Sequence, residues 1–187
     1  VITIIRIEYQ KIYSHLNFLN CILMKKYKTG IPDLFIIKIS AFMDKRGKFY
    51  ETFNFKNYKL KILKQSFLQD NISISKKNVF RGFHGDFKTY KLTSCIFGKM
   101  RFFFIDNRNK SKTFRKIVSF EVSSKKFIQF LVPPGIGMAT LTLSKVSYLS
   151  YKQTTYYNLS SQFTIKIREL NTKLKIPKKI IISKRDS

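Results

Sequence analysis

Along this chain apolar and polar residues alternate in short bursts and never settle into a long helical period. Runs rich in β-branched and aromatic residues cover Leu34–Ile39, Asn71–Ser75, Lys91–Ile96, Arg101–Ile105, Phe114–Val122, Phe127–Val132 and Val146–Tyr151. Turn-forming pairs punctuate them at Gly30-Ile31-Pro32, Arg46-Gly47, Arg81-Gly82 and Pro133-Pro134-Gly135. Many short strands with close turn signals predict an all-β sandwich or barrel, not an alternating α/β fold. Inside the domain, only Asn54–Ser66 spaces its apolar residues as a short helix does.

The first 23 residues read differently. They hold no recognisable turn chemistry and precede Met24, after which the strand pattern begins. The expectation is an N-terminal extension over 1–23 and one barrel domain over 24–187. A chain of 187 residues is long enough for one sizeable core, and 44% hydrophobic residues exclude a disordered chain. No apolar run reaches the ~18 residues that cross a bilayer. Arg6, Glu8, Lys11 and His15 interrupt the N-terminal stretch, so it lacks the apolar core of a secretory signal. Cys21 and Cys95 have neither metal-ligand spacing nor the density of a disulfide framework. A cytoplasmic protein without a membrane partner fits these features.

The formal charge of +27 raises the question of a polyanion partner such as nucleic acid. The basic residues are spread along the whole chain and are not interleaved with aromatics in a recognition motif. Lys, Ile, Phe, Tyr and Asn abound, alanine occurs only at Ala41 and Ala139, and tryptophan is absent. That is the skew of AT-rich codons, and it points away from nucleic acid. A basic surface still attracts a small anionic substrate.

The most informative stretch is Gln69-Asp70-Asn71-Ile72-Ser73, then Ser75-Lys76-Lys77-Asn78-Val79-Phe80-Arg81-Gly82-Phe83-His84. It resembles the signature Q-D-N-x-S-x-S-x-x-x-V-L-R-G-L-H of the dTDP-4-dehydrorhamnose 3,5-epimerase family. Upstream, Asp44-Lys45-Arg46-Gly47-Lys48-Phe49-Tyr50-Glu51 is similar to that family's D-x-R-G-x-F-x-E turn. Downstream the resemblance runs through Lys91-Leu92, Ile105-Asp106-Asn107-Arg108, Ser111-Lys112-Thr113-Phe114, Pro133-Pro134-Gly135, Tyr151-Lys152-Gln153-Thr154 and Ser183-Lys184-Arg185-Asp186. It implies a cupin-like jelly-roll β-barrel with a few short helices, usually a homodimer. The implied reaction inverts carbons alpha to the ketone of a dTDP-linked 4-keto-6-deoxy sugar, for deoxysugars such as rhamnose.

Each such carbon must lose a proton to a base on one face and regain one from an acid on the other, through an enolate. His84 is the implied base, and an unperturbed pKa of ~6.5 suits that task. Asp186 is its implied carboxylate partner, which fixes the tautomer and stabilises the imidazolium. Lys91 would stabilise the enolate oxygen, and Tyr151 matches the acid. Arg46 and Arg81 match diphosphate positions, where a planar fork of donors suits phosphate. Gln69, Asn71 and Glu51 match polar positions around nucleotide and sugar, with Phe42 and Tyr157 as aromatic contacts. No cofactor is implied, and with only His15 and His84 there is no His-x-His pair for a cupin metal.

Four departures stand out. Phe102 occupies a family aspartate position, Met138 a family histidine position and Asp86 a family glutamine position, and Ile167-Arg168-Glu169 replaces W-N-D. They leave a related 3-epimerase or ketoisomerase, or a sugar-binding member without turnover, as alternatives. Phe102 and Met138 both exchange a polar for an apolar side chain on inward-facing strands. The expectation is that they pack together.

Overall fold

Glycine and proline turns cut the chain into strands too short to do anything but pair. The computed structural model describes residues 3–4, 24–61, 63–170 and 173–187. Its strands are β1 (Thr3–Ile4), β2 (Met24–Lys28), β3 (Phe35–Ile39), β4 (Phe42–Asp44), β5 (Gly47–Phe49), β6 (Gln69–Lys76), β7 (Phe80–Gly85) and β8 (Lys91–Phe97). There follow β9 (Lys99–Asp106), β10 (Ile117–Ser123), β11 (Ile128–Val132), β12 (Ile136–Thr142), β13 (Val146–Gln153) and β14 (Phe163–Ile165), with one helix, α1 (Phe55–Lys61). Two six-stranded sheets, β1-β10-β9-β12-β7-β14 and β2-β3-β11-β8-β13-β6, face each other as a jelly-roll barrel, and β4-β5 forms a separate hairpin. Every pairing of these strands is antiparallel except the two-residue contact of Thr3–Ile4 with Val118–Ser119. The rest of the expected 1–23 extension lies outside the described residues. Among the described residues no helix is long and apolar enough to cross a membrane.

Side-chain alternation makes three apolar layers. Between the sheets, Phe102, Phe104, Phe120, Phe130, Met100, Val118 and Leu149 form the barrel core. On the outer face of the first sheet, Phe80, Phe83, Phe103, Ile105 and Leu141 are covered by Leu170, Leu174, Ile176, Ile180 and Ile182 of the C-terminal tail. The second sheet's outer face packs Ile37, Leu92 and Leu131 against Tyr58 of α1 and Phe53, Leu63 and Phe67. β9 is therefore buried on both faces, which is why Arg101–Ile105 reads as an almost unbroken aromatic run.

Two expectations need correcting at their ends. The helix expected over Asn54–Ser66 ends at Lys61. The Asn54 carbonyl and carboxamide accept the Tyr58 and Asn57 amides to start it, but Lys64–Ser66 belong to the approach to β6. The strand expected from Phe114 begins only at Ile117. The intervening loop is organised by Asp106, whose carboxylate accepts hydrogen bonds from Arg108 Nε (2.9 Å), Ser111 Oγ (2.6 Å) and Thr113 Oγ1 (2.7 Å). These donors hold the fully buried Asp106 down to a pKa of about 2 despite burial, which acts in the opposite direction.

Candidate active site

Strand register builds the site in rows. Gln69, Gln153 and Lys91 stand side by side across β6, β13 and β8; Asn71, Tyr151 and Thr93 form the next row, and Ser73, Leu149 and Cys95 the third. Their inward face looks across the barrel at β7 and β12. On β7 a strict two-residue period would send Arg81 and His84 to opposite faces. The pairing slips instead: Met138 and Thr140, two apart on β12, stand opposite His84 and Arg81, three apart on β7. This β-bulge turns both Arg81 and His84 into the barrel while Phe80 and Phe83 stay in the outer apolar layer.

The result is a cavity of about 700 Å³ lined by His84, Asp186, Lys91, Tyr151, Arg81 and Tyr157, with Ser73, Gln153, Met138 and Arg185 among the other walls. His84 Nε2 lies 2.7 Å from Asp186 Oδ1, and the Gly82 amide donates to Asp186 Oδ2 at 3.1 Å. Gly82 is required by space: a Cβ there would stand 2.7 Å from Asp186 Cγ. The glycine of the Arg-Gly-Phe-His signature is thus the place where the C-terminal aspartate docks. On the other ring edge, His84 Nδ1 lies 3.1 Å from Thr164 Oγ1 of β14.

The electrostatics suit proton transfer. Burial lowers the His84 pKa below its ordinary value; Asp186 raises it, while Arg185 and Lys91 push it down further. At neutral pH the imidazole is neutral and able to accept a proton. Burial also lowers the Lys91 pKa, against the pull of Asp86. Burial raises that of Tyr151, so its phenol keeps its proton near neutrality, the state required of an acid. Lys91, Arg81 and Arg185 give the cavity three basic groups against one acid, Asp186. That balance attracts an anionic ligand.

Gln69 and Asn71 are not among the residues that line the cavity, but Gln69 is hydrogen-bonded to two that do, Gln153 and Tyr157. Gln69 Oε1 accepts from the Tyr157 amide (2.8 Å) and from Gln153 Nε2 (3.1 Å), and Gln69 Nε2 donates to Asn71 Oδ1 (2.9 Å). Arg81 Nε donates to Ser75 Oγ at 3.0 Å, which aims the guanidinium along the inner face of β6. Three expected residues lie apart. Arg46 is paired with Asp44 at the exposed β4-β5 turn, Phe42 packs on Phe49 of the same hairpin, and Glu51 accepts from Asn57 Nδ2 at 3.4 Å. Within one chain the hairpin does not reach the cavity wall. Residues that motif reading missed are Thr164, Arg185, Gln153 and Ser73. The last two had a signal available, since each continues the two-residue inward register of a strand already recognised.

The departures have a structural account. Phe102 is fully buried against Phe104 and Phe130, and Met138 belongs to the same cluster while also lining the cavity. In register Met138 faces Phe104 and Thr140 faces Phe102, so Phe102 and Met138 are diagonal neighbours. Asp86 ties its own turn, accepting from the Lys88 and Thr89 amides and from Gln162 Nε2. Ile167–Glu169 forms a 3₁₀ turn whose Ile167 packs on the outer apolar layer.

A jelly-roll barrel that encloses a histidine–carboxylate pair, a lysine and a protonated tyrosine in a basic cavity is the architecture of a nucleotide-sugar epimerase. The family model for dTDP-4-dehydrorhamnose 3,5-epimerase matches residues 28–187, and the chain belongs to that family. Curated relatives of that name from Salmonella typhimurium (strain LT2) and Escherichia coli (strain K12) are 38% and 36% identical over 142 residues. Those alignments cover 74% of this chain and 78% and 77% of the relatives. Among solved structures, the Legionella pneumophila dTDP-6-deoxy-D-glucose-3,5-epimerase, in complex with dTDP-4-keto-L-rhamnose, superposes with a TM-score of 0.81 at 32% identity, covering 88% of this chain and 90% of that one. The Elizabethkingia anophelis dTDP-4-dehydrorhamnose 3,5-epimerase gives 0.79 at 37% identity, covering 87% and 93%.

Proposed function

We propose that this chain epimerises a dTDP-linked 4-keto-6-deoxyhexose at carbons alpha to its ketone, in the supply of dTDP-rhamnose-type deoxysugars. The observation that supports this best is the convergence of His84, Asp186, Lys91 and Tyr151 on one cavity, brought from β7, the C-terminal segment, β8 and β13. His84 removes the proton, Asp186 stabilises the resulting imidazolium, and Lys91 stabilises the enolate oxygen. Tyr151 returns a proton from the opposite face. Arg81, Gln69, Asn71 and Tyr157 hold the nucleotide sugar. Arg46, Glu51 and Phe42 are assigned to substrate from a second copy of the chain, because one chain keeps them outside its own cavity. The hairpin that bears Phe42 also exposes Met43 and Phe49, an apolar surface suited to a homodimer.

Solvent deuterium incorporation into dTDP-4-keto-6-deoxyglucose, followed by NMR, tests the reading. Exchange at C3 and C5 is expected, and no exchange at either overturns it. A second reading, epimerisation at C3 alone, rests on Met138, an apolar wall directly opposite His84 in register; exchange confined to C3 would select it. We also propose that residues 24–187 fold as the complete barrel domain. Deleting 1–23 should leave the thermal midpoint nearly unchanged, and a loss of several degrees would assign that segment to the barrel.

A further inference from the structure

Both imidazole nitrogens of His84 are engaged, yet a base must offer a lone pair to a carbon-bound proton. The partners' chemistry decides where that lone pair lies. Arg185 Nε is a donor only, and it reaches Thr164 Oγ1 at 3.1 Å. The Thr164 oxygen accepts from Arg185, which leaves its own O–H free to donate to His84 Nδ1, 3.1 Å away, when the imidazole proton sits on the Asp186 side. The Asp186 carboxylate is an acceptor, and its Oδ1 stands 2.7 Å from Nε2. Turning the ring by half a revolution would set Cε1 against Asp186 and Cδ2 against Thr164, losing both contacts.

We propose that Thr164 and Arg185 are positioning residues whose hydrogen-bond chain, Arg185 to Thr164 to His84, acts with the Asp186 carboxylate beside Nε2 to fix the imidazole as its Nε2–H tautomer with the basic lone pair on Nδ1. Deprotonation then runs as follows. On substrate binding the Thr164 side chain rotates about Cα–Cβ, withdrawing its oxygen from Nδ1 and from Arg185, and the substrate C–H takes the vacated place. The C–H proton moves to Nδ1, and the bonding pair passes into the enolate. The new imidazolium keeps its Nε2–H on Asp186 until the proton is returned. Thr164 and Met138 face His84 from the flanking strands β14 and β12 without charge. The charged groups around it are Asp186 and Arg185 of the C-terminal segment, Lys91 of β8 and Arg81 of its own strand.

The catalytic part of this inference rests on His84 being the base, but the tautomer can be read without turnover. The full chain is labelled with ¹⁵N-histidine. It has two histidines, and His15→Gln assigns their signals. Long-range ¹H–¹⁵N correlation spectra above the imidazole pKa should show a protonated-type shift at Nε2 and a lone-pair-type shift at Nδ1. Thr164→Val keeps the β-branched shape a strand prefers and should move both shifts toward their average. It should also lower the maximal exchange rate about tenfold with KM little changed. Thr164→Ser should restore both readouts. Arg185→Leu, at an exposed position, should loosen the tautomer in the same way and serves if the valine variant fails to fold. A wild-type Nδ1–H tautomer overturns the proposal, as does an unchanged shift pattern in a folded variant lacking the Thr164 hydroxyl or the Arg185 guanidinium. Failure of the base assignment would look different: His84→Ala would retain exchange while the tautomer pattern stood.

Discussion

The interior of this barrel holds two regions, built on different strands of the same two sheets. Toward β9, β10 and β11 the inward positions are Phe102, Phe104, Phe120 and Phe130, with ring centroids 4.9–6.3 Å apart. Toward β6, β13 and β7 the inward positions are Ser73, Tyr151, Gln153, Arg81 and His84, and the space stays open. The side chains chosen at inward positions distinguish the two regions, and in the open one the β7 bulge brings both Arg81 and His84 to the inner face. One region excludes water and holds the sheets together. The other keeps polar groups in place, on a frame the first region makes rigid. Substitutions should therefore separate stability from chemistry according to the region they touch.

The largest effect is expected in the open region. His84→Ala and Lys91→Ala should each lower solvent proton exchange by about 10²–10⁴-fold while leaving the thermal midpoint close to wild type. His84 is the only histidine among the described residues, so no other imidazole among them can take over. Wild-type exchange in His84→Ala would remove it from the role of base.

In the closed region the sign of the experiment reverses. Phe102 is wholly buried among aromatic rings, and Phe102→Ala should cost about 3–5 kcal/mol of stability in chemical denaturation. The fraction that remains folded should exchange protons at the normal rate. A collapse of activity per folded molecule, with stability preserved, would show that the two regions are not separable.

Acid should act on the closed region's rim. The Asp106 pKa falls from 3.8 in the unfolded chain to about 2 in the fold. A depressed carboxylate contributes stability that is present above its unfolded pKa and is lost as pH falls through the folded one. The loss for Asp106 should amount to about 2 kcal/mol between roughly pH 4 and pH 2. Denaturation midpoints measured across that window should show it, and Asp106→Asn should make the decline shallower by that amount.

How much of this was legible in the sequence follows from where each group comes from. Arg81, Gly82 and His84 sit in one contiguous signature, so their chemistry could be read directly. The β-bulge that turns Arg81 and His84 the same way leaves no mark in the residue pattern. Asp186 could be matched only because Ser183-Lys184-Arg185-Asp186 is a short recognisable string. Its docking against Gly82 is a long-range contact that no local rule supplies. Thr164 was invisible because it lies in a three-residue strand, Phe163–Ile165, with no motif around it. β7 and β12 escaped the strand pattern because Gly82, Gly85 and Gly137 interrupt them. Two of these glycines are there for close approach: a Cβ at Gly85 would lie 2.5 Å from the Ile136 carbonyl oxygen, and one at Gly137 would lie 2.8 Å from the Ile105 side chain.

The smallest expected effect lies on the boundary between the regions. Met138 lines the cavity and also packs, on its partly buried side, against the cluster containing Phe102. Because Met138 faces Phe104 and Phe102 faces Thr140, the two positions are diagonal on the sheet, with Phe104 beside both. Diagonal pairs on a sheet interact more weakly than directly opposed ones. A double-mutant cycle with Phe102→Leu and Met138→Leu should therefore give an interaction energy of about 0.5 kcal/mol. Leucine is the right probe at both places. A carboxylate at position 102 would be stranded among phenyl rings and would report its own desolvation, not the pair. Met138→Leu alone should alter exchange at the site more than it alters stability, since its outer side faces the cavity; Phe102→Leu alone should do the reverse. Strict additivity in stability would mean that the boundary is sharp and the two departures arose independently. A coupling well above 1 kcal/mol would mean the reverse, that the aromatic core reaches into the site through Met138 and the two regions are one.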